Sequence, residues 1–177
     1  MKLILIIHYR FIKKFTDNYI KDKNREQKGT WNGPENLIKK LDEDPELIKA
    51  FDQDHGTIFI QIFQKSVETS FFTQRYRKVL KNVLEWSTRP TYESDNVTPK
   101  RNGKVEEKLF NIKHIINEQD GRARMTALHY ALKRKWPQAV IQMLINDLGA
   151  KVTIEDRDGE MALDMLDSTF IGDMLNG

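Results

Sequence analysis

Cysteine is absent from this chain of 177 residues. Its absence excludes a disulfide framework and any zinc site built on thiolates. A chain without cysteine also suits a reducing compartment, and we therefore expect a cytoplasmic protein. Glycine-rich phosphate-binding loops are missing too, so the common nucleotide-binding motifs do not occur.

Histidine is scarce, and the four histidines are far apart in sequence: His8, His55, His114 and His129. Asp156 and Asp158 resemble the start of a calcium-binding loop, but the later ligands and the terminal glutamate are missing. We interpret that stretch as a solvated turn. The sequence therefore predicts a protein that is not an enzyme and has no cofactor and no metal site.

Long apolar runs are also lacking. Residues 3–7 are strongly apolar, but His8 ends the run. A signal peptide needs about seven to fifteen apolar residues and a membrane span about twenty. We interpret residues 1–15 as a short strand or an irregular helix. The alternative is a weak membrane-surface segment that uses Lys13 and Lys14.

Neither sign of charge dominates, because 29 basic residues face 26 acidic ones and the net charge is +3. This excess is too small to indicate a nucleic-acid partner. The apolar fraction of 39 % is somewhat low and the charged fraction of 31 % somewhat high. An elongated stack with much solvated surface has such a composition.

The most informative stretch lies between residues 120 and 166. Asp120-Gly121 is a turn signal, because glycine adopts positive φ without steric cost. Thr126 stands where a helix N-cap belongs, since its hydroxyl can accept a hydrogen bond from a free N–H of the first turn. The apolar residues that follow share one helical face: Leu128, Ala131 and Leu132.

A second helix follows Pro137, which suits the first helical position because its missing N–H has no partner there anyway. This helix is apolar almost all round, so we expect it to be buried between neighbours. Gly149 ends it, and residues 152–154 are typical of an extended connection. The pattern then restarts: the equivalent residues Ala127 and Ala162 are 35 positions apart.

This arrangement resembles the ankyrin repeat, which joins an Asp-x-Gly turn, a Thr-Pro-Leu-His-x-Ala helix start and a second helix that ends before Gly-Ala. The resemblance rests on residues 126–131, where Ala127 replaces the usual proline, and residues 122–125 are additional. It implies that His129 is a structural residue that hydrogen-bonds between turns. It also implies the fold class: all-α, an ankyrin-repeat α-solenoid with divergent repeats and a long inserted loop.

A fainter copy of the pattern precedes this stretch. We predict a short helix at residues 36–41 and helix pairs at residues 58–65 with 74–86 and at residues 127–135 with 137–147. Residues 58–63 are rich in β-branched side chains and would suit a strand. We assign them to a helix because the flanking turn and cap repeat the chemistry seen before Thr126.

Three boundaries complete this interpretation. Residues 1–33 are predicted to be an N-terminal extension, and residues 34–177 an ankyrin-repeat domain. Residues 87–108 are predicted to be a flexible insertion, because they are polar and contain proline and glycine. Residues 109–116 would then be the extended finger that joins two repeats. The chain's end would be an incomplete repeat that is capped by Phe170, Ile171, Met174 and Leu175, or faces a missing neighbour.

The resemblance implies a non-catalytic scaffold that binds a protein partner through finger tips and first helices. The candidate partner-binding residues are charged: Arg122, Arg124, Lys133, Arg134, Lys151, Glu155, Arg157 and Glu160. Their alternative interpretation is plain solubilising surface. The sequence leaves the partner's identity open.

A second hypothesis belongs to another class of protein. The divergent repeats, the insertion and the ending Leu163-Asp164-Met165-Leu166 are loosely similar to the cytosolic ankyrin repeats of ankyrin-type transient receptor potential cation channels, the Painless-like group among them. The chain would then be a fragment of a larger membrane protein, on the cytosolic side. A host-interacting ankyrin protein of a virus or an intracellular bacterium is a third possibility.

Overall fold

The computed structural model describes residues 33–52, 56–64, 71–100 and 103–166. This part of the chain is mostly helical, with one two-stranded antiparallel ladder. The elements in chain order are α1 (Gly33–Glu43), a 3₁₀ helix (Pro45–Lys49), β1 (Phe51–Asp52), β2 (Gly56–Thr57), α2 (Ile58–Phe63), α3 (Phe71–Ser87), α4 (Val105–Ile115), α5 (Ala127–Lys133), α6 (Gln138–Asn146) and a second 3₁₀ helix (Ala162–Met165). The all-α prediction is confirmed at this level. Residues 1–32 and the proposed cap at residues 170–175 lie outside the described residues.

Helix α1 contains the short helix predicted at residues 36–41. Leu37 and Leu41 are fully buried, as expected for positions one helical turn apart on the same face. Asp44 then caps the first 3₁₀ helix, because its Oδ1 accepts a hydrogen bond of 3.1 Å from the Glu46 N–H. Pro45 occupies the first position of that helix, where it has no intrahelical bond to lose.

Helix α2 is helical despite its β-branched residues, as the flanking cap predicts. The Thr57 hydroxyl accepts a hydrogen bond of 3.4 Å from the Ile60 N–H. All six residues of α2 are buried, so the environment of the core outweighs their preference for strands. Gly56 precedes the cap at φ +70°, and a Cβ there would lie 2.5 Å from Ile60 Cδ1. Only glycine fits that approach without a rearrangement.

The helices pack in a consistent order around one hydrophobic core, which runs from Leu37 to Leu166. Helix α2 packs against α5, and α5 packs against the second 3₁₀ helix. Helix α2 also contacts α3, which packs against α1. Helix α4 contacts the first 3₁₀ helix. Trp136, which follows α5, adds to the contact between α5 and α2, because its ring meets the ring of Phe63 edge-on at 4.8 Å between centroids.

Helix α6 corrects one prediction. It forms where expected and packs against α5, but it is not buried all round. Ile141 and Leu144 are buried, whereas Ala139 is exposed and Ile145 is half-buried. One face of this apolar helix therefore meets solvent within the part of the chain that the structure describes.

The segment at residues 109–116 corrects another prediction. It belongs to helix α4 and is not an extended finger. The buried positions follow a helical spacing, Lys108, Asn111, Ile112 and Ile115. Residues 152–154, predicted to be an extended connection, begin with a turn at residues 152–153, and an isolated antiparallel bridge then joins Glu155 to Met161.

Candidate functional site

Asp120 organises the turn that precedes α5. Its Oδ1 accepts hydrogen bonds from the N–H groups of Ala123, at 2.9 Å, and Met125, at 3.3 Å. The Tyr130 hydroxyl donates to Oδ2. Burial, together with this bond to Asp120, raises the pKa of Tyr130 to about 12. The sequence assigned the turn to Gly121, but the residue with positive φ is Arg124, at 53°.

Asp156 builds the corresponding turn after α6. Its Oδ1 accepts from the N–H groups of Asp158, at 2.8 Å, and Glu160, at 3.1 Å. The Arg157 N–H donates 2.9 Å to the Ala123 carbonyl, so the two turns are joined directly. Asp120 and Asp156 are 36 positions apart, and the carboxylate of each accepts hydrogen bonds from backbone N–H groups of its own turn. The turn thus uses one oxygen of the Asp156 carboxylate to bind its own backbone.

Thr126 and His129 form a reciprocal cap at the start of α5. The Thr126 N–H donates 3.2 Å to His129 Nδ1, and the Thr126 hydroxyl lies 2.8 Å from the same nitrogen. His129 Nε2 lies 3.3 Å from the carbonyl oxygen of Glu160. An Nδ1 that accepts leaves the proton on Nε2, so the neutral imidazole bridges two successive turns. Burial lowers the pKa of His129 and favours this neutral form.

Two side-chain amides that the sequence analysis missed tie the segment before α5 to the chain after α6. Asn117 donates 3.0 Å to the Gly149 carbonyl and accepts 2.8 Å from the Lys151 N–H. Gln119 Nε2 donates to the carbonyls of Arg124 and, at 2.7 Å, Glu155. The sequence signal that could have identified Asn117 and Gln119 was their position just before Asp120. Gln119 therefore holds the backbone of both turns, and Asn117 holds the segment between α6 and the Asp156 turn.

All eight candidate partner-binding residues are exposed: Arg122, Arg124, Lys133, Arg134, Lys151, Glu155, Arg157 and Glu160. Arg122, Arg124, Glu155, Arg157 and Glu160 lie on or beside the paired turns, whereas Lys133 and Arg134 lie at the end of α5 and Lys151 follows α6. We call the whole set the turn face. Arg157 Nη2 donates 3.2 Å to the Gly121 carbonyl, and Lys133 Nζ lies 3.8 Å from Asp156 Oδ2. Six of the eight are basic and two are acidic.

The sequence analysis placed Lys108 wrongly. It was assigned to the solvated insertion, but it lies on α4 and is 0 % exposed. Its Nζ donates 3.2 Å to the Trp86 carbonyl, 2.7 Å to the Arg89 carbonyl and 2.6 Å to Thr91 Oγ1. The amine also lies 4.0 Å from the centroid of the Trp86 ring. Burial lowers the pKa of Lys108 to about 8, although Asp42 opposes that shift.

Asp42 completes this cluster from α1. Its carboxylate accepts hydrogen bonds from Trp86 Nε1 at 3.0 Å, Arg89 Nη2 at 3.0 Å and Thr91 Oγ1 at 3.2 Å. Lys100 Nζ donates to the carbonyl oxygen of Asp42 at 2.6 Å. We call the residues Asp42, Trp86, Arg89, Thr91, Lys100 and Lys108 the clasp. It ties the segment after α3 to both α1 and α4.

An open cleft of about 710 Å³ lies between α1, the end of α3 and residues 90–100. Its lining mixes four acidic with three basic side chains. Most of its carboxylates already have cationic partners; Glu35, for example, lies 2.9 Å from Lys78 Nζ. This arrangement offers no acid and base that are both poised for proton transfer. It is an open surface groove that several residues of the clasp line.

Among residues 33–52, 56–64, 71–100 and 103–166, no cluster of three or more histidine or carboxylate side chains is suited to hold a metal ion. Over the same described ranges, every helix is too short or too polar to cross a bilayer. Comparisons with protein-family models, curated proteins and solved structures found no match.

Proposed function

We propose that this chain is a non-catalytic scaffold built from divergent ankyrin-type repeats, and that its turn face binds a protein partner. The observation that carries the proposal is the pairing of successive turns. His129 caps its own helix and reaches the Glu160 carbonyl of the next turn. A side chain that serves two consecutive units in this way is what a stack of repeats requires.

Two further features support repeated units. Thr57 and Thr126 cap α2 and α5 with the same side-chain geometry, and these two helices pack side by side. Asp120 and Asp156 build equivalent turns before α5 and before the second 3₁₀ helix. Helices α2 and α5 and the second 3₁₀ helix therefore form a row, each the first helix of one unit.

The turn face suits recognition because its backbone is already fixed. Gln119 and Asp120 satisfy backbone groups of the turns, and Asn117 satisfies those of the segment after α6. A partner that binds pre-formed tips loses little conformational freedom of the scaffold. The excess of basic side chains on this face favours a partner whose contacting surface is acidic. The lack of cysteine fits a cytoplasmic place of action.

The test compares two variants with matched charge changes. Arg124→Glu, Arg134→Glu and Lys151→Glu reverse three exposed positions of the turn face, and Lys81→Glu, Lys104→Glu and Lys113→Glu reverse three exposed positions elsewhere. Partners that the full chain captures in cells are quantified by mass spectrometry, and melting temperatures verify folding. We expect the first variant to lose its specific partners and the second to keep them. Equal capture by both variants would contradict the proposal.

The channel-fragment hypothesis stays a prediction, because no feature of the described residues favours it over a free scaffold. The two hypotheses differ in whether these repeats belong to a larger membrane protein, and they make the same prediction for the fold of the repeats.

A further inference from the structure

Residues 92–99 form a small hairpin that projects from the clasp. Tyr92 and Pro99 make an isolated antiparallel bridge, and the Glu93 N–H donates 2.8 Å to the Thr98 carbonyl. The tip is open to solvent: Thr98 is exposed, and Val97 is 77 % exposed. Such a tip is accessible to a modifying enzyme without any opening of the hydrophobic core.

Thr98 is chemically distinguished by its neighbour. The chain has five prolines, and the residues before them are Gly33, Asp44, Arg89, Thr98 and Trp136. Thr98-Pro99 is thus the one serine- or threonine-proline pair in the sequence. A proline restricts the residue before it to extended backbone and offers no N–H of its own. Both properties distinguish Thr98 from Ser94, the other exposed serine or threonine of this hairpin, and a proline-directed kinase selects such a pair.

We propose that Thr98 is a phosphorylation site for a proline-directed serine/threonine kinase, and that the modification loosens the hairpin. In the step, Thr98 Oγ1 forms a bond to the γ-phosphorus of ATP. The bond between that phosphorus and the β,γ-bridging oxygen breaks, and ADP leaves with its electron pair. The hydroxyl proton passes to a base of the kinase. This inference does not depend on the proposed scaffold function.

The hairpin is built so that the modification changes its stability. The Thr98 hydroxyl donates 2.6 Å to Asp95 Oδ2, while Asp95 Oδ1 accepts 2.9 Å bonds from the N–H groups of Val97 and Thr98. The hydrogen bond from Thr98 lowers the pKa of Asp95, so this carboxylate is charged at neutral pH. Phosphorylation removes the donor and places about two negative charges beside the carboxylate.

The disturbance has a route to the clasp. Lys100 follows Thr98 by two residues, and its amine donates to the carbonyl oxygens of Asp42 and Glu43 on α1. A phosphate on Thr98 competes for this amine, since a charged acceptor binds an ammonium group more strongly than a neutral carbonyl does. The modification therefore acts on the attachment of the hairpin to α1, and through it on one wall of the cleft.

The first experiment tests the site. The folded full chain is incubated with a recombinant proline-directed kinase and magnesium ATP. The position of the phosphate is then found by mass spectrometry. We expect phosphate on Thr98 in the folded chain and none in Thr98→Val or Pro99→Ala. Ser94, which is exposed on the same hairpin but precedes Asp95, is the internal control. Phosphate on Ser94, or no phosphate on Thr98 of the folded chain, would overturn the proposal.

The second experiment tests the consequence by hydrogen exchange on the phosphorylated and unmodified chains. We expect the hairpin amides, such as that of Glu93, to exchange about three- to tenfold faster after modification, as the loss of one or two exposed hydrogen bonds implies. The amides of α5 should exchange at the same rate in both samples. Unchanged exchange in the hairpin would overturn the claim that the modification loosens it.

Discussion

His129 and Lys108 are both completely buried basic side chains, yet the regions around them are built in different ways. His129 bonds to Thr126, three residues before it, and its Nε2 lies 3.3 Å from the carbonyl oxygen of Glu160, 31 residues after it. Lys108 bonds to Trp86, Arg89 and Thr91, and Asp42 joins them from α1. The first region starts from a local helix cap and adds a distant carbonyl, whereas each of the three hydrogen-bond partners of Lys108 is at least 17 residues away. Burial lowers the pKa of both side chains, and the predictions below separate the two cases.

The largest effect is expected in the core beneath the turn face. Leu128→Ala and Leu144→Ala each remove a side chain that is 0 % exposed. We expect each to lower the free energy of unfolding by about 2–5 kcal/mol, as buried leucine truncations do. Urea denaturation measures the loss, and Leu163→Ala, at a position that is 36 % exposed, is the control. A loss under about 0.5 kcal/mol in the buried variants would show that the face assignment is wrong.

Lys108 provides the next effect. Lys108→Ala leaves a cavity and three acceptors without their donor, and we expect a loss of about 2–4 kcal/mol. Lys108→Met leaves the same acceptors without their donor but fills most of the volume, so it should be less destabilising by the cost of the cavity. Chemical denaturation of the two variants at the same pH decides between them. Equal losses in the two variants would mean that the hydrogen bonds of the amine, and not the volume of the side chain, account for the stability that Lys108 provides.

A third experiment compares the two buried bases through pH. A base whose pKa is lowered on folding destabilises the fold wherever the unfolded chain still holds the proton. For Lys108, stability should rise as pH increases from about 8 to 10.5, by roughly 3 kcal/mol in total. For His129, stability should fall as pH drops below the ordinary histidine value of 6.5.

The controls for that experiment are single substitutions. Lys108→Met should remove the rise in the alkaline window, and His129→Gln should remove the fall in the acidic one. Urea midpoints measured across both windows give the comparison. An unchanged alkaline slope in Lys108→Met would show that other groups cause it.

The smallest effect concerns the two helix caps. Thr57→Ala and Thr126→Ala should each lower stability by about 1 kcal/mol, which is typical of a lost N-cap. Thr153→Ala, at an exposed position, is the control. Thr126 also contacts the His129 ring, so its loss should exceed that of Thr57. Equal losses would indicate that the bridge from His129 to Glu160 does not depend on the cap.

The sequence predicted the local region well because its information lies in neighbouring residues. Thr126 and the spacing of Leu128 and Ala131 identify a capped helix with one buried face, and the structure has both. The β-branched residues of α2 were assigned correctly only because the flanking Thr57 cap was considered. The helical assignment of residues 109–116 was missed, although the spacing of Ile112 and Ile115 was available. Polar neighbours made the segment resemble a connection.

The sequence by itself determined where most helices begin and end, because caps, turn carboxylates and apolar spacing act within a few residues. Only the tertiary structure decided the clasp. Lys108 and Trp86 are separated by 22 residues, and Asp42 and Trp86 by 44. No periodicity in a sequence indicates which lysine finds a set of carbonyl acceptors at the end of a distant helix. A charged amine is stable inside a protein only when such acceptors surround it, and packing alone brings them together.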